Sequence, residues 1–133
     1  MIGIERVDHI CIAVRDVDAA AKVWGQFFGK TKHDSEYTHE AEGIHVFRYK
    51  VGGIYYELIA STREDSEVDR FISRKGEGFM LVFFKVPNTE AAMKGLIDQG
   101  YQLIDESPRV WRQSHYVFVH PRFMNGVLVE IID

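Results

Sequence analysis

Gly53 to Ala60 reads GIYYELIA, and Gly126 to Ile132 reads GVLVEII. Each run follows a glycine, is rich in β-branched or aromatic residues, and carries one glutamate among apolar neighbours, Glu57 or Glu130. Such a composition predicts a strand, and its recurrence predicts an internal duplication. Upstream of each run, Val14 aligns with Val86, Asp18 with Glu90, Ala19-Ala20 with Ala91-Ala92, and Lys22 with Lys94. Both halves therefore read as strand, helix, three strands.

The elements follow from local signals. Asp8 to Val14 (DHICIAV) reads as a buried strand. Asp16 caps a helix that runs to Gly29, with Val17, Ala20, Ala21, Trp24, Phe27 and Phe28 as its apolar stripe. Lys30 to Glu42 is polar and leaves room for one short edge strand. Ile44 to Lys50 and Ile54 to Ala60 form a hairpin about Gly52-Gly53. A short helix closes at Lys75-Gly76, and Phe79 to Val86 is a second buried strand. Asn88 caps a helix with Ala92, Met93, Leu96 and Ile97 as its stripe, ended by Gly100. Gln102 to Ile104 suggests a brief strand, Asp105 to Ser114 a loop, and Pro121 to Gly126 a turn between His115–His120 and Val127–Ile132. The predicted fold is α+β: two tandem βαβββ modules forming a curved mixed sheet around a cleft. The chain reads as a single domain, residues 1–133, made of a first module (1–62), a linker with a short helix (63–77) and a second module (78–133).

Composition narrows the function. The 133 residues are 46% hydrophobic and 27% charged, which is ordinary for a packed domain, and the net charge is −4. A basic face for nucleic acid is therefore not expected, nor is a polybasic membrane-binding surface. No apolar run approaches the ~20 residues of a membrane span. The N-terminal stretch MIGIERVDHI has no signal-peptide apolar region. With one cysteine, Cys11, no internal disulfide can form, and a cytoplasmic location is expected. Cys11 itself reads as a small core residue.

The two glutamates carry the chemistry. A carboxylate inside an apolar strand is costly unless it is paired or binds a cation. Two of them at equivalent places on one cleft would favour a metal. His9, in the opening strand, can add a nitrogen ligand, whereas its repeat mate is the aliphatic Leu81. His9, Glu57 and Glu130 are thus the candidate ligands. The alternative is a metal-free site in which His9 pairs with a glutamate.

These residues and motifs give the chain a family resemblance. VDHICIAVRDVDAA, YYELIA, DSEVDRFISRKGEG, LIDESPR, FVHP and GVLVEII occur in order over nearly the whole length. The chain resembles the vicinal oxygen chelate superfamily (glyoxalase, bleomycin resistance protein, dioxygenase), and within it the methylmalonyl-CoA epimerases. The resemblance implies paired βαβββ modules, a homodimer, and a divalent metal (Co, Mn, Mg, Zn or Ni) on His9, Glu57, Glu130 and a fourth residue. The stretch that carries that fourth residue, a histidine, in the epimerases has Met80 and Leu81 here. A glutamate acid/base is also implied two residues before Gly43, where this chain has Ala41. Glu40 and Glu42 flank it, and Glu42 and Glu130 are the carboxylates expected to be catalytic. After Pro108-Arg109, the family's loop is replaced by VWRQS.

Phe47, Phe79 and Trp111 can stack on a flat ligand, and Arg109 and Arg112 can meet the phosphates of a CoA ester, the expected small-molecule substrate. His33 and His39 are expected on the surface. Three functions remain open: a metal-assisted isomerase or lyase acting next to a carbonyl or CoA thioester, a metal-free small-molecule binding protein of resistance or sequestration type, and a scaffold acting through protein partners.

Overall fold

The computed structural model describes residues 2–133. In chain order its elements are β1 (Arg6–Ala13), α1 (Val17–Phe28), β2 (Ser35–His39), β3 (Ile44–Val51), β4 (Ile54–Ser61), α2 (Glu67–Lys75), β5 (Gly78–Lys85), α3 (Thr89–Asp98), β6 (Arg109–Trp111), β7 (Ser114–Val119), a 3-10 turn (Pro121–Phe123) and β8 (Leu128–Ile132). The fold is α+β, and the strand order is β2-β3-β4-β1-β5-β8-β7-β6. The chain divides into two compact units, Ile10–Met80 and the residues up to His9 together with Leu81–Asp133. The division falls inside β1, which is continuous from Arg6 to Ala13.

In the Ile10–Met80 unit, β3 and β4 pair antiparallel about the Gly52-Gly53 turn, and β2 adds to the edge of β3. Helix α1 starts where Asp16 accepts hydrogen bonds from the Asp18 and Ala19 N–H groups at 3.0 and 3.1 Å. That cap satisfies otherwise orphaned donors and is worth about 1 kcal/mol. The helix stops at Gly29, whose φ of 72° suits a residue without a Cβ. Its inner face packs Val17, Ala20, Ala21, Trp24 and Phe28 onto Val14, Phe47, Tyr49, Leu58 and Ala60.

The other unit repeats the plan in its own material. β5 and β8 are parallel, β7 and β8 antiparallel, and β6 lies on the edge of β7. Helix α3, capped by Asn88, packs Ala92, Met93 and Leu96 on Val86, Val117, Val119, Val129 and Ile131. Strand order β6-β7-β8-β5 matches β2-β3-β4-β1 position for position. The duplication read from few identities is thus present in the topology.

Several local expectations are corrected. Residues 105–114 are not all loop: Arg109–Trp111 pairs with β7 as β6. Gln102 to Ile104 forms no strand but a single bridge, Leu103 to Val119. His39 is buried rather than exposed, because it ends β2 on that strand's inward side. His33 is mostly covered as well, with its ring stacked on Phe47 at 3.9 Å.

One carboxylate ties α3 to the strands of its unit. Asp133 accepts the Thr89 N–H at 3.0 Å and the His115 N–H at 2.9 Å. The buried Thr89 hydroxyl donates to the His115 carbonyl at 2.7 Å. Burial tends to raise the Asp133 carboxyl, but the two N–H groups outweigh it and hold the group below its ordinary 3.8. A lowered folded value means that the stabilisation is complete above the unfolded value and is lost as pH falls through the folded one. Urea unfolding of wild type and Asp133→Asn should therefore differ at pH 6, and the gap should narrow as pH falls below the ordinary carboxyl value of 3.8. A gap that stays constant over that range would contradict this assignment.

Candidate functional site

Glu57 organises the polar side of the Ile10–Met80 unit. Along β4 its neighbours Leu58 and Ala60 belong to the apolar core beneath α1. Strand alternation then turns Glu57 to the opposite face. There it is 2% exposed. Its cross-strand partner in the β3–β4 ladder is Arg48. The Arg48 Nε donates to Glu57 Oε2 at 2.7 Å. The second oxygen, Oε1, accepts from the Tyr37 hydroxyl at 3.3 Å and from Cys11 Sγ at 3.6 Å. Arg48 also lies over the Tyr55 ring at 3.9 Å, which fixes its guanidinium. Burial first, then the Glu57 charge, pushes the Tyr37 phenol far above its usual range, so it remains a donor.

His9 precedes Cys11 by two residues on β1, so both side chains leave the strand on one face. Asp8 Oδ2 lies 2.7 Å from His9 Nδ1. With the carboxylate accepting from Nδ1, the neutral ring carries its lone pair on Nε2, the arrangement of a metal-ligating histidine with a carboxylate behind it. The ring is buried and stacks on Phe83 at 3.7 Å with planes 24° apart. His9, Cys11 and Glu57 each offer one ligand atom, and these atoms lie within 4.8 Å of one another. One nitrogen, one sulfur and one carboxylate oxygen on buried side chains make a donor set that fits a divalent metal of the zinc or cobalt kind.

Glu130 occupies the matching place in the other unit. Its ladder partners are Phe83 on β5 and Phe118 on β7, and it is 0% exposed. Val129 and Ile131 on either side face α3, so Glu130 lies on the face away from the helix, as Glu57 does in its own unit. Leu81 and Met80 are both buried.

The remaining candidates are described each within its own unit. Phe47 stands on the α1 side of β3, within the apolar core, and not on the Glu57 face. Glu42 is half-buried in the turn between β2 and β3. That turn is held by Arg63, which donates to the Glu40 and Ala41 carbonyls at 2.9 and 3.1 Å. Gly43 has φ of 66°, a conformation that favours glycine, and a Cβ there would push the Arg63 guanidinium, 2.8 Å away, off the turn it holds. Phe79 is exposed at the start of β5. Arg109 pairs with Asp105 at 2.8 Å and lies over the Phe118 ring at 4.7 Å. Arg112 lies over the Trp111 ring at 4.9 Å in the β6–β7 turn, with φ of 57°. The His120 Nδ1 accepts the Arg122 N–H at 3.2 Å.

The sequence reading missed Cys11, Tyr37, Arg48 and Asp8 as parts of this cluster. Only Cys11 had a usable signal, since it falls two residues after His9 on a predicted strand.

The fold agrees with the comparisons to known proteins. Residues 8–119 match the Glyoxalase/Bleomycin resistance protein/Dioxygenase superfamily, and the chain belongs to it. The Bacillus subtilis (strain 168) protein YqjC, itself uncharacterized, is 33% identical over 129 residues, covering 96% of this chain and 91% of that one. The mitochondrial methylmalonyl-CoA epimerase of Dictyostelium discoideum is 26% identical over 133 residues, covering 98% and 79%. A Streptomyces coelicolor methylmalonyl-CoA epimerase variant, solved in complex with 2-nitronate-propionyl-CoA, superposes with a TM-score of 0.89 at 29% identity, covering 98% and 97%. Among the described residues, no helix is long and apolar enough to cross a membrane.

Removing one partner of a buried ion pair leaves the other charge uncompensated. Arg48→Ala should destabilise the protein by about 2–4 kcal/mol in urea unfolding, and adding Glu57→Gln should recover part of that loss. Additive effects in the double variant would show that the two groups do not act as a pair.

Proposed function

We propose that this protein is an epimerase-type isomerase that moves a proton at the carbon next to a carbonyl, with a CoA thioester as substrate and a divalent metal as cofactor. The observation that supports it best is the buried His9, Cys11 and Glu57 group, in a chain that aligns over nearly its full length with methylmalonyl-CoA epimerases. His9, Glu57 and Glu130 are the residues proposed to hold the ion. When bound, the ion supplies Lewis-acid stabilisation of the negative charge that develops on the thioester oxygen.

The chain's own residues do the rest. Asp8 and the Phe83 ring orient His9. Arg48 anchors one oxygen of Glu57 and so directs the other toward Cys11. Glu42 and Glu130 are the carboxylates proposed to take and return the proton, a role worth about 10²–10⁴ in rate. Arg109 and Arg112 carry fixed positive charge suited to CoA phosphates, and Phe79 and Trp111 offer apolar surface.

A second reading, a metal-free binding protein, draws on two features: Arg48 already neutralises part of the Glu57 charge, and Leu81 offers no donor atom. One experiment separates the two. Methylmalonyl-CoA incubated in D2O with protein and Co2+, Mn2+, Zn2+, Mg2+ or Ni2+ should gain α-carbon deuterium. Chelation should stop the exchange, and His9→Ala should slow it by about 100-fold or more. No exchange with any of these ions, together with ligand-dependent thermal stabilisation, would replace the isomerase by the binding protein.

A further inference from the structure

We infer that Cys11, as a thiolate, ligates the ion held with His9 and Glu57, so that this site selects zinc or cobalt over magnesium and manganese. The inference rests on the metal reading above and deepens it.

Cys11 is buried, yet its sulfur is not merely packing. Sγ is aimed at Glu57 Oε1, 3.6 Å away, on the face shared with His9. The three candidate ligand atoms lie within 4.8 Å of one another. Around a tetrahedral ion with Zn–N near 2.0 Å and Zn–S near 2.3 Å, ligand atoms stand about 3.3–3.8 Å apart, so side-chain adjustment alone brings them to contact. Arg48 holds Glu57 Oε2, and Oε1, which accepts from Tyr37 and Cys11, is the oxygen beside the sulfur and the one placed to ligate. Leu81 stands where the family resemblance implies a histidine, and it supplies no donor. A thiolate restores a fourth donor beside His9, Glu57 and Glu130 and changes the character of the set. Soft sulfur favours zinc and cobalt, whereas magnesium and manganese prefer an all-oxygen shell. On loading, the thiol proton goes to solvent as the metal–sulfur bond forms, with no change of oxidation state.

The tests use the whole chain and the metal alone. X-ray absorption of the wild-type Zn2+ protein should show a sulfur scatterer at about 2.3 Å. The Co2+ protein should show a thiolate-to-cobalt charge-transfer band in the near ultraviolet, which Cys11→Ser abolishes. Zn2+ loading should free one more proton from wild type than from Cys11→Ser. The same variant should bind Zn2+ at least about tenfold more weakly while its Mn2+ affinity changes little. Should Cys11→Ser not fold, the wild-type scatterer and charge-transfer band decide alone. Nitrogen and oxygen scatterers only, at a site that His9→Ala empties, would overturn Cys11 as a ligand and leave the metal reading intact. Failure of the wild type to bind any of these ions would overturn both.

Discussion

The burial of the Glu57 carboxylate constrains more of this structure than any other single contact. Removing an ionised carboxylate from water costs several kcal/mol, and only close, well-oriented donors offset it. Three are assembled here from three strands: Arg48 on β3, Tyr37 on β2 and Cys11 on β1. Arg48 reaches Glu57 because the antiparallel register sets the two opposite each other. A slip of one residue would turn Phe47 toward the carboxylate and Arg48 into the apolar core under α1. The ion pair and the hydrophobic layer therefore specify the same register.

The same division of faces recurs in the second unit. Helix α3 covers Val117, Val119, Val129 and Ile131, and Glu130 lies on the face turned away from it, between Phe83 and Phe118. A duplicated strand–helix–strand plan thus yields two carboxylates with the same relation to their own helices. The duplication is not chemically symmetric. His9 has no counterpart at Leu81, and the Arg48 that accompanies Glu57 has its own place in the first unit's ladder. The polar groups differ between the two units, while the apolar layer under each helix is alike.

Much of the fold was legible in the sequence because its signals are local. Asp16 and Asn88 announce two helix starts, Gly29 a helix end, and Gly52-Gly53 a hairpin. The edge strand β6 was not legible: Arg109–Trp111 is only three residues long and exists through its pairing with β7. The site was legible in part. His9, Glu57 and Glu130 stand out because each is polar inside an apolar strand, and all three are buried. Phe47 looked equally suited to a ligand, but aromatic character does not reveal on which side of a strand a ring will lie.

The sequence by itself determined the duplication, the α+β class and the identity of the buried acids, since periodicity, caps and turn residues act over a few neighbouring positions. Tertiary structure alone decided that Cys11 and Tyr37 would share one oxygen of Glu57 and that Arg48 would take the other. It also decided that Asp8 would stand behind His9 and that Arg63 would hold the turn at Gly43. Most of these contacts join residues far apart in the chain. They depend on strand register and side-chain reach, which no local pattern of residues records.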